Sequence, residues 1–196
     1  MREVELKAVL DSWDVRRDHL VRAGAKTVFR GRLEDRRYDT NERALAARDI
    51  VLRLRIYRDA GGARAELEYK GPTAYEHGYK VREEVGSTVS DASSIALVLA
   101  GLGYIVTRPI DRDIEQFELG DAIVRFERYP RMDDLVEVEG EPEALERAIA
   151  SLGIPRAAYN SDRLTDFAMR YEKRTGQRAM LSDAELSGTA PMVREF

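Results

Sequence analysis

Full charges alternate one for one with apolar residues in stretch after stretch of this chain. The pattern opens at Glu3-Val4-Glu5-Leu6-Lys7 and returns at 51–58, 64–70, 79–85, 122–128 and 135–139. A period of two is that of a β-strand with two chemically different faces. One face carries Glu3, Glu5 and Lys7; Arg53 and Arg55; Glu66, Glu68 and Lys70; Lys80, Arg82 and Glu84; Arg125 and Glu127; Glu137 and Glu139. The other carries Val4, Leu6, Leu54, Ile56, Leu67, Val81, Val124, Phe126, Val136 and Val138. Two architectures accommodate this. In an open antiparallel sheet the ionic face meets water and helices cover the other. In a closed barrel with helices outside, the same charges line one cavity. A solvated face ordinarily mixes in threonine and other neutral residues. Both signs of charge recurring at one phase favour the barrel.

The connecting segments predict an α+β chain. Helices are expected over 11–23, after a Ser90-Asp91 cap through Ile95 to Leu99, over 141–152 with Pro142 in its first turn, and over 161–174. Strands are expected over 26–39 and over 104–119, the latter interrupted near Pro109. Beyond Thr175 periodicity fades, so residues 1–174 read as one domain and 175–196 as a polar tail with a short helical piece at 183–186.

Composition narrows the function. Of the 196 residues, 35% are Asp, Glu, Lys or Arg, where about 25% is usual. The signs nearly cancel to a net charge of −4, which provides no positive field for nucleic acid or anionic lipid. The absence of cysteine removes thiolate metal sites, disulfides and cysteine nucleophiles. With two histidines, any metal is expected to be a hard ion on carboxylates, such as Mg²⁺, Mn²⁺ or Ca²⁺. No apolar run reaches the roughly 18 residues of a membrane span, and no secretory pattern opens the chain, so a cytoplasmic location is expected.

The ionic face itself suggests a ligand. Lys7, Arg53, Arg55, Lys70, Lys80, Arg82 and Arg125 suit phosphate oxygens, and Glu3, Glu5, Glu137 and Glu139 suit divalent ions. Polyphosphate accompanied by Mg²⁺ or Mn²⁺ satisfies both sets at once.

Glu3-Val4-Glu5-Leu6-Lys7 matches the ExExK signature of the CYTH superfamily, named for class IV adenylyl cyclase and thiamine triphosphatase and also called triphosphate tunnel metalloenzymes. Tyr38-Asp39-Thr40, Leu52-Arg53-Leu54-Arg55, Tyr69-Lys70-Gly71-Pro72, Lys80–Glu84, Leu102-Gly103-Tyr104 and Leu135-Val136-Glu137-Val138-Glu139 follow in order, and the resemblance spans roughly 2–174. It implies a closed eight-stranded antiparallel tunnel that binds triphosphate and metal together. By motif position Glu3, Glu5, Glu137 and Glu139 resemble metal ligands, and Glu127, standing where the family carries Asp, is expected to join them as a longer-armed ligand. Lys7, Arg53, Arg55 and Lys70 resemble the triphosphate-binding cations, Lys7 and Lys70 being also the catalytic candidates. Arg112 aligns with a basic position of the family and is flanked here by Asp111 and Asp113.

The activity this implies is metal-dependent hydrolysis of a triphosphate to a diphosphate and orthophosphate. Two alternatives stand beside it: a class IV-type cyclase forming cyclic AMP and pyrophosphate from ATP, and a non-catalytic polyphosphate-binding module. The His-Phe pair that precedes ExExK in the bacterial cyclases is missing, which favours hydrolysis. A homodimer is compatible with the sequence. His77 falls in an expected loop, His19 and Trp13 read as surface or packing residues, and Glu66 and Glu68 as either metal contacts or ion-pair partners of Lys80 or Arg82.

Overall fold

A computed structural model describes residues 2–76 and 79–189, with side chains for all of these except Arg2, Glu3, Tyr79 and Lys80. The elements in chain order are β1 (Arg2–Val9), α1 (Trp13–Arg22), β2 (Lys26–Asp39), β3 (Val51–Asp59), β4 (Gly62–Lys70), β5 (Ala74–Glu76), β6 (Tyr79–Val89), α2 (Ala92–Gly101), β7 (Ile105–Leu119), β8 (Ala122–Arg128), β9 (Leu135–Gly140), α3 (Pro142–Leu152), α4 (Leu164–Thr175) and α5 (Asp183–Ser187). Each alternating stretch is a strand. Hydrogen bonding orders them β1-β9-β8-β7-β2-β3-β4-β6-β5, and β1 pairs a second time with β6. The ladder therefore returns to its start, and eight strands make a closed antiparallel barrel in an α+β fold with the helices outside. The ninth, β5, is a three-residue strand paired with β6.

Three local expectations need correcting. Strand β7 runs from Ile105 through Pro109 without interruption, because the fixed φ of proline lies in the extended range and a strand needs no donor at every residue. Residues 74–76 form β5, within a segment expected to be loop. Helix α4 begins at Leu164, not at Ser161. The Asp166 carboxylate accepts the Arg163 backbone N–H at 2.8 Å and closes its first turn there.

By contact density the chain forms two compact units. The first comprises residues 1–3 and 31–111. Its core joins Tyr38, Leu54 and Ala65 of the sheet to Leu99 of α2, with Ile56, Leu67, Val89 and Ile95 packed around them. Asp91 caps α2 through its side chain. The second unit comprises 4–30 and 112–196. Here α3 buries Ala144, Leu145, Ala148, Ile149 and Leu152 and packs on β8, β9 and α1. Trp13 meets Phe126 edge-on at 5.6 Å, and Phe126 meets Phe117 at 5.2 Å. His19 Nδ1 lies 2.9 Å from the Leu152 carbonyl oxygen, which also accepts Arg16 Nη1 at 3.0 Å, so α1 satisfies the C-terminal end of α3. Residues 176–189 continue with a backbone pairing of Met180 to Arg131 and with α5, capped by Ser182.

Both faces of the strands are covered in each unit. Arg53, Leu54 and Arg55 are consecutive buried residues of β3, as are Val124 to Glu127 of β8 and Leu135 to Val138 of β9. An open sheet with a solvated ionic face would leave every second one of these in water, so the open-sheet alternative fails.

Candidate functional site

The ionic face forms one cluster in each unit. In the first, antiparallel register sets Asp35 opposite Arg55, Arg53 opposite Glu68, and Lys70 opposite Glu84. Glu68 accepts Nε and Nη2 of Arg53 on one oxygen, at 2.9 and 2.7 Å, and Nη1 of Arg55 on the other at 3.0 Å. Asp35 Oδ2 lies 3.5 Å from Arg53 Nη1 and 3.7 Å from Arg55 Nε. Burial pushes the Glu68 carboxyl up, but the two guanidiniums outweigh it and hold the group below its ordinary value. Lys70, buried, forms an ion pair with Glu84.

Arg82 is placed differently from the other cations. Its Nε donates to the Gly71 carbonyl at 2.6 Å and its Nη2 to that of Asp49, tying together the chain after β4 and the turn before β3. Thr73 N–H completes this tie by donating to the Asp49 carboxylate at 2.7 Å. Glu66 pairs with Arg64 at the surface, and Glu68 with Arg53 and Arg55, while Arg82 is spent on backbone carbonyls.

In the second unit β1 and β9 set Glu5 opposite Glu139 and Lys7 opposite Glu137. Like charges directly opposite on a sheet repel. Lys7 Nζ neutralises the group, lying 3.1 Å from Glu5 Oε1 and 2.6 Å from Glu137 Oε2. Burial works against the Lys7 charge, yet the Glu137 and Glu5 carboxylates prevail and keep the ammonium protonated well above the usual lysine range. Arg125 donates to the other Glu137 oxygen at 2.7 Å and to Gln116 Oε1 at 3.1 Å. Beside them, Glu127 accepts Arg112 Nε at 2.8 Å on one oxygen and the Tyr129 hydroxyl at 2.6 Å on the other. Burial pushes the Tyr129 phenol far up and the adjacent Glu127 charge adds to it, so the hydroxyl is a fixed donor.

Of the sequence candidates, Glu5, Lys7, Arg125 and Glu137 meet in one cluster, and Arg112 and Glu127 form a neighbouring pair. Arg53 and Arg55 meet on Glu68, and Lys70 meets Glu84. Glu139 is half-buried opposite Glu5. The side chains of Glu3 and Lys80 lie outside the described residues, as does His77. Asp35 and Tyr129 join these clusters without a counterpart among the sequence candidates. Among the described residues no three acidic or histidine side chains are drawn together tightly enough to hold a metal. The donor set nevertheless fits a hard divalent ion: Glu5, Glu137 and Glu139 stand on the adjacent strands β1 and β9, and Glu5 and Glu137 already share a cation in the form of the Lys7 ammonium.

A closed antiparallel barrel whose second strand face is buried and ionic is a binding scaffold for a highly charged ligand. Residues 1–148 match the CYTH domain, and the chain belongs to that family, whose members act on triphosphates. No curated protein matches the sequence. Among solved structures it is similar to a proposed adenylate cyclase from Vibrio parahaemolyticus, with 20% identity, a TM-score of 0.72, and coverage of 84% of this chain and 96% of that one. A protein from Pyrococcus horikoshii gives 21% identity and a TM-score of 0.70 over 86% of this chain and 98% of the other. HpAC1 from Hippeastrum, described as having a dominant triphosphatase activity, gives 19% and 0.62 over 92% and 98%. At these identities the likeness is one of fold. No helix among the described residues is long and apolar enough to cross a membrane.

Proposed function

We propose that this protein is a divalent-metal-dependent triphosphatase that releases orthophosphate from inorganic triphosphate or an organic triphosphate. The observation that carries the reading is the buried pairing of Arg53 and Arg55 on one carboxylate, which places two guanidinium forks side by side away from water. Planar guanidinium forks match the oxygens of successive phosphoryl groups, and burial strengthens each contact. Residues 1–174 are read as the catalytic domain.

In this reading Arg53, Arg55, Lys70 and Lys80 hold phosphate oxygens, with Lys7 and Arg125 released from their carboxylates to join them. Arg82 acts by fixing the Gly71 and Asp49 turns. Glu5, Glu137 and Glu139, with Glu3, would hold Mg²⁺ or Mn²⁺. When bound, such an ion neutralises phosphate oxygens and the charge that develops on the leaving diphosphate. Glu127 has both oxygens engaged and is assigned to fixing Arg112 instead of to the metal. Water attacks the terminal phosphorus, the bridging P–O bond breaks, and diphosphate and orthophosphate leave. The cations act mainly by aligning the phosphate chain and stabilising the loose transition state.

The test is incubation of the purified protein with inorganic triphosphate and, separately, ATP, each with Mg²⁺ or Mn²⁺, with assay of orthophosphate, pyrophosphate and cyclic AMP. Orthophosphate is the expected product. Cyclic AMP with pyrophosphate would replace the hydrolase reading by the cyclase, and tight triphosphate binding without product would replace it by a binding module.

A further inference from the structure

Arg53 and Arg55 project from one face of β3, both buried, and like charges so placed repel unless an anion stands between them. Glu68 is that anion. It lies directly opposite Arg53 in the ladder, takes two N–H donors of Arg53 on one oxygen, and takes Arg55 on the other. Tyr57 steadies the second arginine, its hydroxyl oxygen accepting Arg55 Nη1 at 3.3 Å. Asp35, with no exposed surface, stands behind the pair at 3.5 and 3.7 Å. The Glu68 carboxylate thus occupies donors that suit a phosphoryl oxygen, with the same sign of charge and the same charge-assisted bonds.

We infer that Glu68 is a positioning residue which doubles as an internal competitor of the substrate: it holds the Arg53 and Arg55 forks aligned, and an incoming phosphate takes those donors from it. The inference rests on the triphosphate reading of this cluster. Removing the charge at 68 therefore does two opposite things. It strengthens anion binding, because the competitor is gone, and it loosens the alignment on which turnover depends.

The experiment is calorimetric titration of inorganic triphosphate into the full-length protein without divalent metal. It is paired with NMR measurement of hydrogen exchange at the Arg53 Nε–H. Glu68→Gln is expected to bind about tenfold tighter, the size of one charge-assisted bond, to lose protection at Arg53, and to have a lower kcat together with a lower KM. Glu68→Asp keeps the charge and is expected to bind like the parent. Unchanged Arg53 exchange in Glu68→Gln, or weaker binding by it, overturns the inference alone. Loss of Arg53 protection with no binding by either protein overturns the triphosphate reading and the competitor role with it. Should Glu68→Gln not fold, the parent protein decides: saturating triphosphate must move both the Glu68 carboxyl-carbon signal and the Arg53 Nε–H resonance as that donor passes from carboxylate to phosphate, and unmoved signals refute the proposal.

Discussion

The first unit clasps one carboxylate, Glu68, between two guanidiniums, whereas the second clasps one ammonium, Lys7, between two carboxylates. The clusters are reciprocal in charge and differ in reinforcement. Behind Glu68 stands a second acid, Asp35, at a distance too long for a strong bond. Glu137, by contrast, is gripped on its other oxygen by Arg125 at 2.7 Å. Each central residue neutralises buried groups of the opposite sign, and in the proposed function it would stand in for a ligand of its own sign, an oxyanion in one unit and a cation in the other. The cost of deleting a central residue should differ between the two, and that can be measured.

The largest effect is expected from Lys7→Met. It removes the counter-charge shared by buried Glu5 and Glu137, and breaking a buried ion group in this way costs about 3–5 kcal/mol. Chemical denaturation should register the loss. Millimolar Mn²⁺ should then restore stability by mass action, since the vacated carboxylates favour a cation in the folded state. A Lys7→Met protein as stable as its parent would break the comparison at its root. A destabilised variant indifferent to Mn²⁺ would show that these carboxylates do not accept a divalent ion.

Next in size is Tyr129→Phe. The phenol donates to buried Glu127 at 2.6 Å, and removing it leaves an acceptor oxygen short of a donor for about 1–3 kcal/mol. The shift should appear in the urea midpoint, with little change in Mn²⁺ affinity if Glu127 serves Arg112 and not the metal. A large drop in Mn²⁺ affinity would return Glu127 to the ligand set and make the second cluster wider than the Lys7 group.

The strands of the ionic face were readable because charge and apolar residue alternate without a break from Leu52 to Ile56 and from Val136 to Glu139. Asp35 was not readable, for a specific reason. In Leu33-Glu34-Asp35-Arg36-Arg37-Tyr38-Asp39 charges occupy both phases of β2, so no parity can be assigned from composition. Register resolves it, setting Asp35 opposite Arg55 while Arg36 turns its guanidinium to Asp111 at 2.6 Å. The same alternation explains why Asp111 and Asp113 flank Arg112 in sequence without neutralising it: they belong to the opposite face of β7, and Glu127 of β8 is the acid that Arg112 meets. Tyr129 lies just past the end of β8, where strand period no longer predicts direction. Its signal would have been a large polar aromatic two residues beyond a charged strand position. That signal is too common to single it out. The pairing partners of Glu68 and Lys7 likewise depend on which strands are neighbours, and the ladder order, not the local pattern, determines that.

The smallest expected effect separates the clusters by pH. Glu68 has a folded-state pKa lowered by Arg53 and Arg55 against the opposing pull of burial, so its contribution to stability is complete above the ordinary glutamate range and is lost as pH falls through the lowered value. Lys7 has the opposite sign. Despite burial, Glu137 and Glu5 raise its folded-state pKa, so its contribution is complete below the ordinary lysine value of 10.5 and declines as pH rises beyond it. Acid should therefore loosen the Arg53–Glu68–Arg55 group as Glu68 takes up a proton, and alkali the Glu5–Lys7–Glu137 group as Lys7 gives one up. Amide hydrogen exchange, corrected for its intrinsic pH dependence, can follow both. On acidification from pH 5 the Leu52–Ile56 amides of β3 should lose protection, and as pH rises beyond the ordinary lysine value those at 136–138 of β9 should. Protection of the β3 amides unchanged in acid would reject Glu68 as the acid-sensitive group of the first cluster, and protection of the β9 amides unchanged in alkali would reject Lys7 as the alkali-sensitive group of the second.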